Sequence, residues 1–177
     1  MRGRAAFLDR DGVLNRAIVI DGKPHPPGRI EELEILTGVD DACRDLHSAG
    51  FLLVMVTNQP DVARGRQNRA TVEVINEILS ERLGLDAVKV CYHDDDENCN
   101  CRKPKPGLLS EAAREMNIDL SGSFMIGDRW KDIEAGRRAG CKTVLVQSGY
   151  VEKNAEGFDY EVGSLRAAAD WILSHKS

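Results

Sequence analysis

The stretch FLDRDGVLN, residues 7 to 15, sets Asp9 and Asp11 two positions apart directly behind an apolar run. A strand core does not tolerate such charges, so carboxylates at its end are either a solvated turn or a site. Residues i and i+2 of an extended chain project to the same side, so Asp9 and Asp11 can share one small pocket while Arg10 points away. Two close carboxylates repel each other unless a cation neutralises them. Asp128 in FMIGDRWKD ends another apolar run and adds a third carboxylate. A hard divalent ion such as Mg2+ takes oxygen ligands of this kind and keeps several waters. Each segment alone is equally an acidic turn, a helix cap or, at Thr57, an ordinary strand end; only their co-location at one edge would make a site.

A second group has softer chemistry. CYHDDDENCNC carries Cys91, His93, Cys99 and Cys101, that is C-x-H, five residues, then C-x-C. Three thiolates and one imidazole suit tetrahedral Zn2+, and a site closed by four protein ligands is structural. The spacing is not that of the common finger patterns, so a charged loop with incidental thiols competes with this reading. Cys43 and Cys141 fall within a helix and at a strand start, where thiols pack in the core. His25 and His47 read as surface residues.

These groups need a scaffold, and the pattern supplies one. Short apolar runs at 5–8, 51–57, 88–91, 123–126 and 143–146 alternate with helical periodicity at 39–49, 69–83, 107–116 and 131–139. That alternation predicts an α/β fold, a doubly wound and mainly parallel sheet covered on both faces. Segments 21–29 and 93–107, rich in turn formers or charge, read as loops. The tail reads as a short edge strand followed by an amphipathic helix, with Leu165, Ala168, Ala169 and Ile172 on one face. In open parallel sheets ligands bind beyond the carboxyl ends of the strands, which is where Asp9, Asp11, Thr57, Asn58 and Asp128 would fall.

The 177 residues suit a single domain with a substantial core. A formal net charge of −5 offers no basic stripe for nucleic acid. The N-terminus lacks the apolar centre of a signal peptide and no run is long enough to span a bilayer, so the expected compartment is the reducing cytoplasm.

In order along the chain, FLDRDGVLN, VMVTNQ, CRKPKPG and FMIGDRWKDIEAG resemble the four motifs of the haloacid dehalogenase superfamily of phosphatases. The resemblance implies a Rossmann-like fold and phosphate ester hydrolysis. It implies that Asp9 attacks phosphorus and that Asp11 protonates the departing alkoxide, then takes a proton from water. Mg2+ would be held by the side chains of Asp9 and Asp128 and the main-chain carbonyl of Asp11. Thr57 and Lys103 would hold the phosphoryl oxygens, with Lys105 a competing cation in RKPKPG. Asp132 would orient groups around the metal or Lys103. No insertion is long enough for a large cap domain, and the zinc loop would instead hold Arg102 and Lys103 over the pocket.

Within the superfamily the combination of DRDGVLN, TNQ, ARG, a Cys/His loop and CRKPKPG is most similar to the D-glycero-D-manno-heptose-1,7-bisphosphate 7-phosphatases. Their histidinol-phosphate phosphatase relatives share the zinc loop. By this resemblance Arg102 and Arg129 contact the sugar or its distal phosphate, Arg64 is a further candidate, and Asn58 belongs with the substrate contacts. The expected partner is a small phosphorylated sugar met by a monomer. A phospho-acceptor signalling domain is the alternative from another class, although its acceptor Asp would follow a strand deeper in the chain.

Overall fold

The computed structural model describes residues 2–175. In chain order the elements are β1 (Arg4–Leu8), the hairpin strands β2 (Ile18–Ile20) and β3 (Lys23–His25), α1 (Val39–Ser48), β4 (Phe51–Asn58), α2 (Arg69–Leu83), β5 (Ala87–Cys91), α3 (Gly107–Glu115), β6 (Phe124–Gly127), α4 (Trp130–Ala139), β7 (Lys142–Val146), β8 (Tyr160–Val162) and α5 (Leu165–Ser174). Six strands form one sheet in the order β5-β4-β1-β6-β7-β8. Every neighbouring pair is parallel.

The sheet lies between two apolar layers because its central strands alternate. Ala6 and Leu8 of β1 pack with Leu46 of α1, Ile75 of α2 and Ala169 of α5. Ala5 and Phe7 face the other way, against Leu109 and Ala112 of α3 and Ala135 of α4. A strand covered on both faces must be apolar throughout, and residues 5–8 are fully buried. Asp9 marks where the chain leaves that environment. The helices begin where the residue types demand: Asn68 caps the N-terminus of α2 by accepting from the Ala70 amide at 2.8 Å, and Ser164 caps that of α5 by accepting from the Ala167 amide at 3.2 Å.

The tail folds as its periodicity predicts. β8 is an edge strand, and Leu165, Ala168, Ala169 and Ile172 of α5 are all buried. Segment 21–29 differs from its expectation. It is not a loop throughout: β3 pairs antiparallel with β2 through a two-residue Asp21-Gly22 turn. Both turn residues are left-handed, with φ of 49° and 73°, the geometry that Asp-Gly favours in a tight hairpin. Strands of three residues with a proline inside leave little alternation to detect. The hairpin leans over the carboxyl edge of the sheet, its tip tied by the Val151 amide donating to the Gly22 carbonyl at 2.8 Å. Among the described residues, no helix is long and apolar enough to cross a membrane.

Candidate active site

Three carboxylates meet at the carboxyl edge of β1 and β6. Ligand oxygens of Asp9, Asp128 and Asp132 lie within 4.8 Å of one another, and all three residues are buried. Asp9 follows β1, its amide donating to the Ile126 carbonyl at 3.0 Å, and Asp128 follows β6. Asp132 comes from the first turn of α4. Its Oδ2 accepts from the Arg129 amide at 3.0 Å, and its Oδ1 lies 2.7 Å from the Lys103 ammonium. Lys103 also donates to Asp9 Oδ1 at 2.7 Å and to the Val56 carbonyl at 2.9 Å, so its three hydrogens are all engaged. Three carboxylates against one ammonium leave a formal surplus of two negative charges.

The ionisation of the group reflects that surplus. Burial, then repulsion from Asp132, pushes the Asp9 carboxyl up to about 6 against the opposing pull of Lys103. Burial and the charges of Asp9 and Asp132 push Asp128 well above the usual carboxylate range. Burial alone would lower Lys103, but Asp132 and Asp9 raise it above its ordinary value. Both oxygens of Asp128 are buried without a hydrogen bond of ordinary geometry, although the Tyr150 phenol lies alongside. Unpaired buried carboxylate oxygens are costly. A divalent cation would both satisfy them and cancel the surplus charge, so the oxygen-only donor set fits Mg2+. Gly12 is required beside it: its φ is +94°, and a Cβ there would sit 1.8 Å from Asp128 Oδ2.

Arg10 is where the extended-strand reasoning fails. It does not point away; it is fully buried, and its guanidinium lies 3.0 Å from Asp11 Oδ2 and donates to Asn76 Oδ1 of α2 at 2.8 Å. The reason is local. The chain turns immediately after β1, with the amides of Leu14 and Asn15 both donating to the Arg10 carbonyl, so the period-two rule no longer applies. Asp11 also accepts from Asn15 Nδ2 at 3.0 Å and from Gln59 Nε2 at 2.8 Å. The same Gln59 nitrogen donates to Thr57 Oγ1 at 2.9 Å. Arg10, Asn76 and Gln59 were not singled out as site residues, although DRDG and TNQ contain two of them.

The two candidate lysines separate clearly. Lys103 enters the carboxylate cluster, while Lys105 donates to Asn98 Oδ1 and the Cys99 carbonyl and so staples the preceding loop. Asn58, expected to touch substrate, spends both ends of its amide on the Lys103 main chain, at 3.0 and 3.1 Å. That loop gathers Cys91, His93, Cys99 and Cys101. Their contacts run from 3.3 Å (Cys91 to Cys101, Cys101 to His93 Nδ1) to 3.7 Å (Cys91 to Cys99), and none of these thiols is in a disulfide. A tetrahedron with metal–sulfur bonds of about 2.3 Å has edges of roughly 3.7 Å, so the donors fit one Zn2+. Burial works against ionising Cys99, yet the Arg102 amide and neighbouring thiols bring it down to about 7.

A cleft of about 350 Å3 opens over Asp9, Asp11, Thr57 and Lys103. His25, expected at the surface, lines it from the hairpin, 3.9 Å from Asp61. Its cations are largely committed to acidic neighbours. Arg64 donates to Asp94 at 2.7 Å, Arg102 to Asp95 at 2.7 Å, and Arg129 is held bidentately by Glu152. Cys43 and Cys141 are buried as core residues, and His47 is exposed beside Asp86.

Comparison with known proteins gives consistent matches. A sequence profile described as HAD-hydrolase-like matches residues 100–168. The chain is 40% identical to a D-glycero-beta-D-manno-heptose-1,7-bisphosphate 7-phosphatase of Yersinia pestis over 96% of its own length and 89% of the relative's. It is 37% identical to the enzyme of that name from Escherichia coli K12, over 96% and 88%. A crystal structure of a D,D-heptose 1,7-bisphosphate phosphatase from B. bronchiseptica, complexed with magnesium and phosphate, superposes with a TM-score of 0.84. That pair shares 32% identity and covers 98% of this chain and 99% of the other.

Proposed function

The chain belongs to the haloacid dehalogenase-like phosphatases, and we propose that it removes the 7-phosphate from D-glycero-D-manno-heptose 1,7-bisphosphate through an aspartyl-phosphate on Asp9. It is a phosphoric monoester hydrolase. The observation that carries the reading is the buried group of Asp9, Asp128 and Asp132 around Lys103, three carboxyl groups against one ammonium beside a polar cleft, a formal surplus of two negative charges. The side chains of Asp9 and Asp128 and the carbonyl of Asp11 would hold Mg2+, which would supply the positive charge that lets a carboxylate approach a phosphate dianion.

The chain's own residues divide the remaining work. Lys103 fixes the Asp9 carboxylate and offsets its charge, and Asp132 fixes Lys103. An Asp9 oxygen bonds to phosphorus as the bond from phosphorus to the sugar oxygen breaks, with Asp11 delivering the proton that the departing alkoxide needs. Asp11 then takes a proton from water, whose oxygen displaces Asp9 and releases inorganic phosphate. Gln59 ties Asp11 to the Thr57 hydroxyl, which orients the phosphoryl oxygens. Asn58 sets the Lys103 main chain, and Arg64, Arg102 and Arg129 form the cationic rim that meets the rest of the substrate.

The Cys91, His93, Cys99 and Cys101 cluster would take Zn2+, which closes the loop leading into Arg102 and Lys103 and stabilises it. On this reading the whole chain is one phosphatase domain. It acts in the cytoplasm as a monomer on a small phosphorylated sugar, without nucleic acid or membrane partners. The Cys/His loop, which the resemblance shares with the histidinol-phosphate phosphatases, keeps histidinol phosphate as a second substrate reading. Both are tested by incubating the purified protein with Mg2+ and either anomer of heptose 1,7-bisphosphate or histidinol phosphate. Release of one phosphate per bisphosphate, leaving the sugar 1-phosphate, is expected; faster turnover of histidinol phosphate would replace the substrate and keep the chemistry. Elemental analysis is expected to find about one zinc per chain.

A further inference from the structure

Of the cleft cations that gather around Asp95, Lys131 is the most loosely held: among the described residues no carboxylate lies within hydrogen-bond distance of its ammonium. Arg64 is bound by Asp94, Arg129 by Glu152 and Arg102 by Asp95, each within hydrogen-bond distance. The Lys131 ammonium, whose side chain is 21% exposed, reaches only the already engaged Asp95 Oδ1, at 3.6 Å, and lies 5.7 Å from the Trp130 ring centroid. Asp95 itself is unusual. It stands on the short 3-10 turn Asp95–Glu97, its side chain is 64% exposed, and it draws in three cations: Arg102 at 2.7 Å, Arg64 at 3.6 Å and Lys131 at 3.6 Å. An exposed carboxylate is cheap to displace, and three cations converging on one monoanion fit a phosphate dianion better.

We propose that Lys131 completes, with Arg102, a subsite for the phosphate remote from the reacting one, and that the Asp95 carboxylate occupies this subsite until substrate arrives. The proposal rests on the bisphosphate reading of the substrate. Lys131 is the second residue of α4, and Asp132, the next, is bound to Lys103. One rigid helical turn therefore sets the separation between the remote anion and the reacting centre, which makes Lys131 a specificity-determining residue without a part in bond breaking. Arg102 and Asp95 sit on the loop that carries the thiol cluster, so the two halves of the subsite come from different supports.

The test compares Lys131→Met and Asp95→Asn with the wild-type protein on heptose 1,7-bisphosphate and on heptose 7-phosphate. Binding of the product, heptose 1-phosphate, is measured by calorimetry without turnover. In Lys131→Met, KM for the bisphosphate is expected to rise about tenfold with kcat little changed, the value of one charge-assisted contact. The ratio of kcat/KM between bisphosphate and monophosphate falls by the same factor, and product binding weakens with it. Asp95→Asn is expected to lower KM for the bisphosphate and tighten product binding, because the internal competitor has gone. A ratio within about twofold of wild type in Lys131→Met, or weaker product binding in Asp95→Asn, overturns the proposal. A wild-type protein that hydrolyses both phosphates equally well removes the bisphosphate reading and this subsite together. Failure of Lys131→Met alone, with the wild-type preference intact, removes only the subsite.

Discussion

The two ligand clusters are built from opposite materials on opposite supports. Asp9 and Asp128 are buried oxygen donors at the ends of two central, adjacent strands. Cys91 ends the edge strand β5, and His93, Cys99 and Cys101 hang from a polar loop beyond it, with His93 exposed. The carboxylates are therefore placed by a sheet that folds for its own apolar reasons, and the surplus charge is a strain that the core tolerates. The thiols are placed mainly by one another. A catalytic ion can be labile because its site is preformed, whereas a structural ion must help to build the site it occupies.

The sharpest way to break that contrast is at Asp9, the proposed nucleophile. Asp9→Asn is expected to lower turnover by on the order of 10^4-fold or more while circular dichroism and thermal unfolding stay close to wild type. Substantial residual activity would mean that the carboxylate cluster is only a charged patch. Gly12→Ala attacks the same cluster through the backbone, since its φ is +94° and the added carbon would collide with Asp128. Strain of about 1–3 kcal/mol is expected to weaken Mg2+ binding by roughly tenfold to a hundredfold, read by calorimetry.

On the thiol side, Cys99→Ser is expected to release zinc and lower Tm by roughly 5–10 °C, equivalent to ~2–3 kcal/mol. KM should suffer more than kcat, because Lys103 is also held by Asn58, Asp9 and Asp132, which stand on the sheet and α4. An equal collapse of kcat would mean that the loop, not the sheet, positions the reacting groups. The smallest effect concerns protons. Burial, then repulsion from Asp132, pushes the Asp9 carboxyl from its ordinary 3.8 up to about 6 in the folded protein without Mg2+, so the folded state binds more protons between those values. Stability is then greatest below pH 4 for this group and is lost as pH rises through about 6. In Mg2+-free buffer Tm is expected to fall by a few degrees between pH 5 and 7, at roughly 2–4 °C per kcal/mol, and added Mg2+ should flatten the slope.

The scaffold was legible because burial on both faces leaves an unambiguous mark: residues 5–8 and 51–57 could hardly be anything but central strands. The hairpin at 18–25 was not, since three-residue strands carrying Pro24 have too few positions for a period to emerge. Residue types and their order along the chain pointed to Asp9, Asp11, Asp128, Lys103 and the thiol group. They could not show that Asn58 is spent on the Lys103 main chain, that Arg10 folds back onto Asp11, or that Lys105 staples its own loop. Each of those outcomes depends on which donor reaches which acceptor once the backbone turns.

By itself, then, the amino-acid order determined which chemistries were available and which strand ends would carry them, because apolar periodicity and charge are properties of residue type. Only the tertiary structure decided the pairing of charges around the cleft. Partners such as Asp95 with Arg102 on one loop and Lys131 on a distant helix meet through packing, and attraction between charges falls off with a distance that no linear spacing encodes.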